Sequence, residues 1–230
     1  MFKYILILLT TLNFCDAYCQ NQGVGNVYYA IDPKTAGKIF HNSTKDQFKP
    51  QGSPYLNSSF SFVKVQSVEE KSKMRYNVYK DEFEFITAKN DTLILDKLED
   101  FKDLTFVATN TKYKLVNYLN LDDKFQFGYL IDIYQKNDFG LLKKENIVLT
   151  DEKIAKTSLE QNMPAKYYKS SDNYFLKTKD KIFEFPSSRK KLIKVFPDKK
   201  ESIETFVKEN KIDFDKDADK IKIIDFLSKL

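Results

Sequence analysis

MRYNVYKDEFEFI, residues 74–86, decides how the chain is built. Met74, Tyr76 and Val78 alternate with Arg75, Asn77 and Tyr79, the two-residue period of a strand with two unlike faces. The alternation slips at Lys80-Asp81-Glu82, after which Phe83 and Phe85 take up the apolar positions. A one-residue slip turns every following side chain to the opposite face, so the backbone must absorb it in a bulge or a tight turn. Residues 74–86 therefore read as a joint between an irregular N-terminal region and a regular β-meander. Arg75, Asn77 and Tyr79 fall on the face away from Met74, Tyr76 and Val78. That face is the first place to look for a binding surface.

Outward from the joint, FSFVKVQSV at 60–68 reads as a strand, followed by a charged turn over 69–73. AKND at 88–91 is a turn and LIL at 93–95 a short apolar run. Leu98, Phe101 and Leu104, three residues apart, permit one helical turn before a strand over 105–108. Residues 113–119 and 125–134 are clearer strands. The second places Phe125, Phe127, Tyr129, Ile131 and Ile133 on one face, a half-buried alternation. Residues 139–143 and 147–149 continue the meander. SSDN at 170–173 predicts a hairpin between strands 166–169 and 174–177, and 181–185 adds one more strand.

Beyond Pro186 the period becomes helical. Ser187 or Ser188 caps a helix carrying Leu192, Ile193 and Phe196. Asp198 caps a second over 199–210, with Ile203, Phe206 and Val207 apolar. Asp215 starts a third over 216–230, with Ile221, Ile224 and Leu227 apolar. Amphipathic helices must cover something, and the sheet is the partner at hand. The expected fold class is α+β: a mostly antiparallel, curved or partly closed β-sheet with C-terminal α-helices packed against it. Residues 20–57, holding Pro50, Gly52 and Pro54, read as irregular, 58–185 as the β-meander, and 186–230 as a helical segment of the same domain.

The first residues read as a secretory signal peptide. Lys3 supplies the positive start, and residues 4–14 (YILILLTTLNF) form an apolar run too short for the ~20 residues a bilayer needs. Ala17 and Cys19 suit a cut before Gln20, giving a signal over 1–19. Phe14 precedes Cys15 and Tyr18 precedes Cys19, where lipid attachment wants a small residue, so a lipoprotein fits poorly. A chain cut there has no cysteine, hence no disulfide, thiolate metal site or Cys nucleophile. It is expected in the periplasm or outside the cell, with no transmembrane segment in the mature chain.

Twenty Phe and 14 Tyr, with only six Gly, favour a packed β-rich core over disorder. The net charge of +5 comes from 38 basic and 33 acidic residues, a mixed surface and not a nucleic-acid tract. Arg75 and Arg189 are the only arginines, which argues against a dedicated phosphate or base reader.

The motifs Arg75-Tyr76-Asn77-Val78-Tyr79 with Asp81-Glu82-Phe83-Glu84, Pro164-Ala165-Lys166-Tyr167, Tyr174-Phe175, and Phe196-Pro197-Asp198-Lys199-Lys200 with Phe206-Val207 stand together in this chain. In these it resembles a group of exported proteins common in the Bacteroidetes phylum, from about Gly52 to the C-terminus. The resemblance implies envelope export and a β-sheet with C-terminal helices. None of these motifs is an active site.

Catalytic constellations are scarce. His41 is the only histidine, in the polar run HNST, and reads as an exposed loop residue, which leaves Ser-His and Cys-His hydrolysis without a base. Asp213, Asp215, Asp217 and Asp219 have the alternation of half a calcium loop. Ala218 and Ile224 stand where such a loop wants Gly and a closing Glu, so the aspartates read as charge at a helix N-terminus. Glu82 and Glu84 share a strand face and offer a carboxylate pair for hydrolysis, without a Trp platform beside them. The alternation over 125–134 also suits an outer-membrane β-barrel, but such a barrel would not end in helices. The leading expectation is a non-enzymatic envelope protein, a binding or accessory module. It has no catalytic, metal or cofactor site, and its partner is another envelope protein or an apolar ligand. A carboxylate hydrolase is the alternative.

Overall fold

The computed structural model describes residues 40–42, 50–120, 122, 124–153 and 163–230. The signal-peptide reading lies outside the described residues. Among the described residues eleven strands form one sheet, every neighbouring pair antiparallel. In chain order they begin with β1 (Phe40–Asn42), β2 (Ser61–Val65), β3 (Ser72–Asn77), β4 (Glu82–Ile86), β5 (Thr92–Leu95) and β6 (Asp103–Phe106). There follow β7 (Lys112–Leu119), β8 (Phe125–Lys136), β9 (Phe139–Thr150), β10 (Lys166–Lys177) and β11 (Ile182–Glu184). The spatial order is β1-β5-β4-β3-β2-β6-β7-β8-β9-β10-β11, and the sheet does not close on itself. Helices α1 (Arg189–Val195), α2 (Lys200–Glu209) and α3 (Asp217–Leu227) follow. No helix among the described residues is long and apolar enough to cross a membrane.

The slip at residues 80–82 is a hairpin turn. Asn77 pairs with Glu82, and Asp81 takes a φ of 58°, a left-handed conformation that Asp tolerates better than most side chains. It is not a boundary between irregular chain and sheet, because β2 precedes it and β1, within the segment read as irregular, pairs with β5. His41 therefore lies on a strand, opposite Ile94, and not in a loop. SSDN is not a hairpin either. β10 runs straight through it, with a register shift against β9 between Ser170 and Asn173. Polar residues that signal a turn here serve a bulge.

The helices start close to where capping chemistry put them. Ser188 caps α1 by accepting from the Lys191 amide. Asp198 lies in a 3-10 turn, Pro197–Lys199, that leads into α2 without a side-chain cap. Leu192, Ile203, Ile223, Ile224 and Leu227 bury against Leu141, Leu176 and Phe185, so the helices cover the β9–β11 end of the sheet.

A larger core fills the inner face of β2–β8, where Val63, Met74, Phe83, Leu93, Leu104 and Tyr129 are almost fully buried. Ile147 and Tyr167, from the far halves of β9 and β10, join the same core. Phe125 and Phe127 keep the parity of Tyr129 and Ile131 but project beyond the packed region, 82% and 46% exposed. The half-buried face expected for β8 is buried only from Tyr129 onward.

Candidate functional site

The outer face of the β3–β4 hairpin is covered by residues 51–60. Gln51 bridges to Lys166, its amide donating to the Ala165 carbonyl and its carbonyl accepting from the Tyr167 amide, both at 2.8 Å. Gly52 takes a φ of 81° with the Tyr167 carbonyl 2.6 Å from where a Cβ would sit, so only glycine fits. The Pro54 carbonyl then accepts from the amides of Val78 and Tyr79. This strap ties β10 to the hairpin turn.

Beneath the strap lies a buried polar knot. Glu84, 4% exposed, accepts from Arg75 Nε and Nη2 at 2.8 and 2.6 Å. The Tyr55 hydroxyl donates to both Glu84 oxygens at 2.8 and 2.9 Å, and Asn77 Nδ2 donates at 3.2 Å. Burial and the bond to Glu84 push the Tyr55 hydroxyl well above its ordinary pKa, so it remains a donor. The Arg75 guanidinium lies 4.1 Å from the Tyr55 ring centre and 4.5 Å from that of Phe60. Tyr79 packs edge-on against Tyr167, ring centres 5.2 Å apart. Of the three residues expected to form a binding face, Arg75 thus holds the strap, Asn77 is buried on Glu84, and Tyr79, 42% exposed, leans on Tyr167. Glu84 is equally committed, while Glu82, on the same face of β4, has a buried Oε2 with no hydrogen-bond partner among the described residues.

The hairpin turn is held from the other side by Asp81. Its carboxylate meets Lys97 Nζ at 2.6 Å, Lys144 Nζ at 3.2 Å, the Tyr129 amide at 3.2 Å and the Tyr76 hydroxyl. Tyr129 lies just before the β8–β9 ladder, which begins at Ile131. Gly128 makes room: a Cβ there would stand 2.3 Å from Asp81 Oδ2.

The inner face is not filled everywhere. Next to the aromatic cluster, a cavity of about 190 Å³ opens between the strap, β2–β3 and the β6–β7 turn. Tyr76, Phe106 and Tyr113 form its aromatic wall, with centres 4.8 Å apart for Tyr76–Tyr113 and 5.8 Å for Phe106–Tyr113. Ser61, Thr111 and Glu145 supply polar groups. Glu145 is the one carboxylate that lines it among the described residues. Its Oε2 accepts from the Tyr113 hydroxyl at 3.5 Å, and its Oε1 lies 3.7 Å from Lys143 Nζ. Burial first, and Glu145 second, raise the Tyr113 pKa far above its ordinary value, so Tyr113 donates.

Neither Tyr113 nor Glu145 was singled out by motif reading. Their signal is parity: Lys143 and Glu145 occupy the same face of β9 as Ile147, an inward position where charge is uncommon. The aspartate run makes no convergent cation site. Asp213 and Asp219 pair with Lys216 and Lys222, Asp217 with Lys220 and the Tyr174 hydroxyl, and Asp219 accepts the Asp213 amide. Among the described residues, no three His, Cys, Asp or Glu side chains come together as metal ligands. No protein-family model matches the chain, and neither a curated protein nor a solved structure matches it significantly.

Proposed function

We propose that the protein is an exported, non-enzymatic binding module that holds a small, largely apolar ligand in the cavity walled by Tyr76, Phe106 and Tyr113. The observation that carries this reading is the cavity itself, about 190 Å³ left open beside an otherwise packed aromatic core. The pocket opens to solvent past Asn57, Ser59 and Thr109, and a space of this scale beside aromatic rings admits a single aromatic ring. The N-terminal segment supports export, and strap residues Leu56, Asn57 and Ser59 form one side of the cavity. The carboxylate-hydrolase reading has less support, because Glu84 is saturated and Glu145 has no second carboxylate beside it in the cavity wall.

Ser61 shares the core-facing parity of Val63 and lines the cavity, so Ser61→Phe fills it. Benzyl alcohol is expected to raise the unfolding temperature of the wild-type protein in calorimetry and to leave that of a folded Ser61→Phe variant unchanged. Equal shifts in both, or none in either, contradict the proposal.

A further inference from the structure

We infer that the cavity selects a positively charged ligand, an organic ammonium with a small apolar body. The inference rests on the cavity being a ligand site, as proposed above, and deepens it.

Three observations converge on a cation. First, the wall presents three aromatic rings, and ring faces attract cations within about 6 Å of the centroid. Second, Glu145 is held loosely. Among the described residues its nearest donors stand at 3.5 and 3.7 Å, while Glu84 and Asp81 have donors at 2.6 Å. At 18% exposure a carboxylate gains from a donor at proper hydrogen-bond distance, and the cavity is the open side from which one can arrive. Third, the positive charges nearby are spent elsewhere. Arg75, which also lines the cavity, gives two N–H groups to Glu84 and a third to the Ser58 carbonyl at 3.3 Å. Lys143 is shared between Glu145 and Asp172, the latter at 3.6 Å, and Lys169 approaches Asp172 at 3.4 Å. An ammonium placed against Glu145 therefore finds an under-satisfied acceptor, whereas a ligand carboxylate meets a like charge.

The test uses three ligands of one size and three charges: benzylammonium, benzyl alcohol and benzoate, titrated calorimetrically at neutral pH. Benzylammonium is expected to bind about tenfold more tightly than benzyl alcohol, and benzoate most weakly. In Glu145→Gln the preference for the ammonium should fall to about onefold while benzyl alcohol still binds. In Lys143→Gln it should rise, because the competing cation is gone. That opposite change is one a folding defect does not mimic, and it carries the test if Glu145→Gln does not fold. Equal binding of all three, tighter benzoate binding, or a Lys143→Gln preference no greater than wild type overturns the inference while leaving the cavity a ligand site. Binding of none of the three overturns both the inference and the reading beneath it.

Discussion

At the scale of single residues, Asp81 and Gly128 act as a pair. The carboxylate is clamped by two lysines, a backbone amide and a tyrosine hydroxyl, so it cannot swing away from a new methyl group. Gly128→Ala should cost about 1–3 kcal/mol in chemical denaturation. The cost should shrink in an Asp81→Gly background, which removes the obstacle and keeps the left-handed turn easy. An undiminished cost would mean the strain lies elsewhere. Arg75→Ala leaves the Glu84 carboxylate buried without its cation and should cost roughly 3–5 kcal/mol. Glu82 gives the opposite sign. Burial raises its pKa against the pull of Lys80 and Lys97, so the folded state holds that proton more tightly than the unfolded chain. Stability is then lost as pH rises through the raised pKa. Glu82→Gln should raise the unfolding temperature near pH 7, with the gain gone by about pH 3. These contacts were not legible in the sequence, because each joins residues brought together only by the sheet: Asp81 meets Gly128 across 47 positions of chain.

Among the elements, those with a strong local period could be read directly. β7 alternates in burial as its sequence does, and the helix carrying Leu192 begins at its serine cap, whereas β8 alternates in sequence but buries Gly128 to Ile131 as a run because Leu130 packs in a cluster of its own. The misreadings have a common cause. SSDN at 170–173 has turn composition, yet β9 offers a continuous partner on which a bulge conserves the ladder at both ends. The strap has no period at all, since its order comes from bonds to β10 and the hairpin. The helices dock through both apolar and charged contacts. Leu192→Ala should cost about 2–5 kcal/mol, because this side chain is fully buried between α1 and the sheet. Asp225 on α3 accepts from the Tyr134 hydroxyl and Lys136 Nζ of β8, both at 2.7 Å, and these bonds lower its pKa. A lowered carboxylate pKa means stability present above the ordinary value and lost as pH falls through the lowered one. The stability gap between wild type and Asp225→Asn should therefore close on acidification.

For the whole molecule, one unclosed antiparallel sheet supports three buried clusters among the described residues, one on the inner face of β2–β8, one under the helices, and a smaller one of Tyr118, Leu130, Leu142 and Phe175. Sequence reading reached the antiparallel sheet, its aromatic filling and its helical end, because these follow from period and composition. Of the face expected to bind, Arg75 reaches the proposed cavity, whose aromatic wall comes from Tyr76, Phe106 and Tyr113, while Asn77 is buried on Glu84 and Tyr79 leans on Tyr167. No local pattern shows a cavity, which is a shortfall of volume among residues far apart in sequence. The most direct test of that cavity as the binding site is an NMR titration of the labelled protein with benzyl alcohol, followed at assigned aromatic resonances. Saturable shifts confined to Tyr76, Phe106, Tyr113 and their neighbours are the predicted result. Shifts confined to the exposed Phe125 and Phe127, or none that saturate, would contradict it.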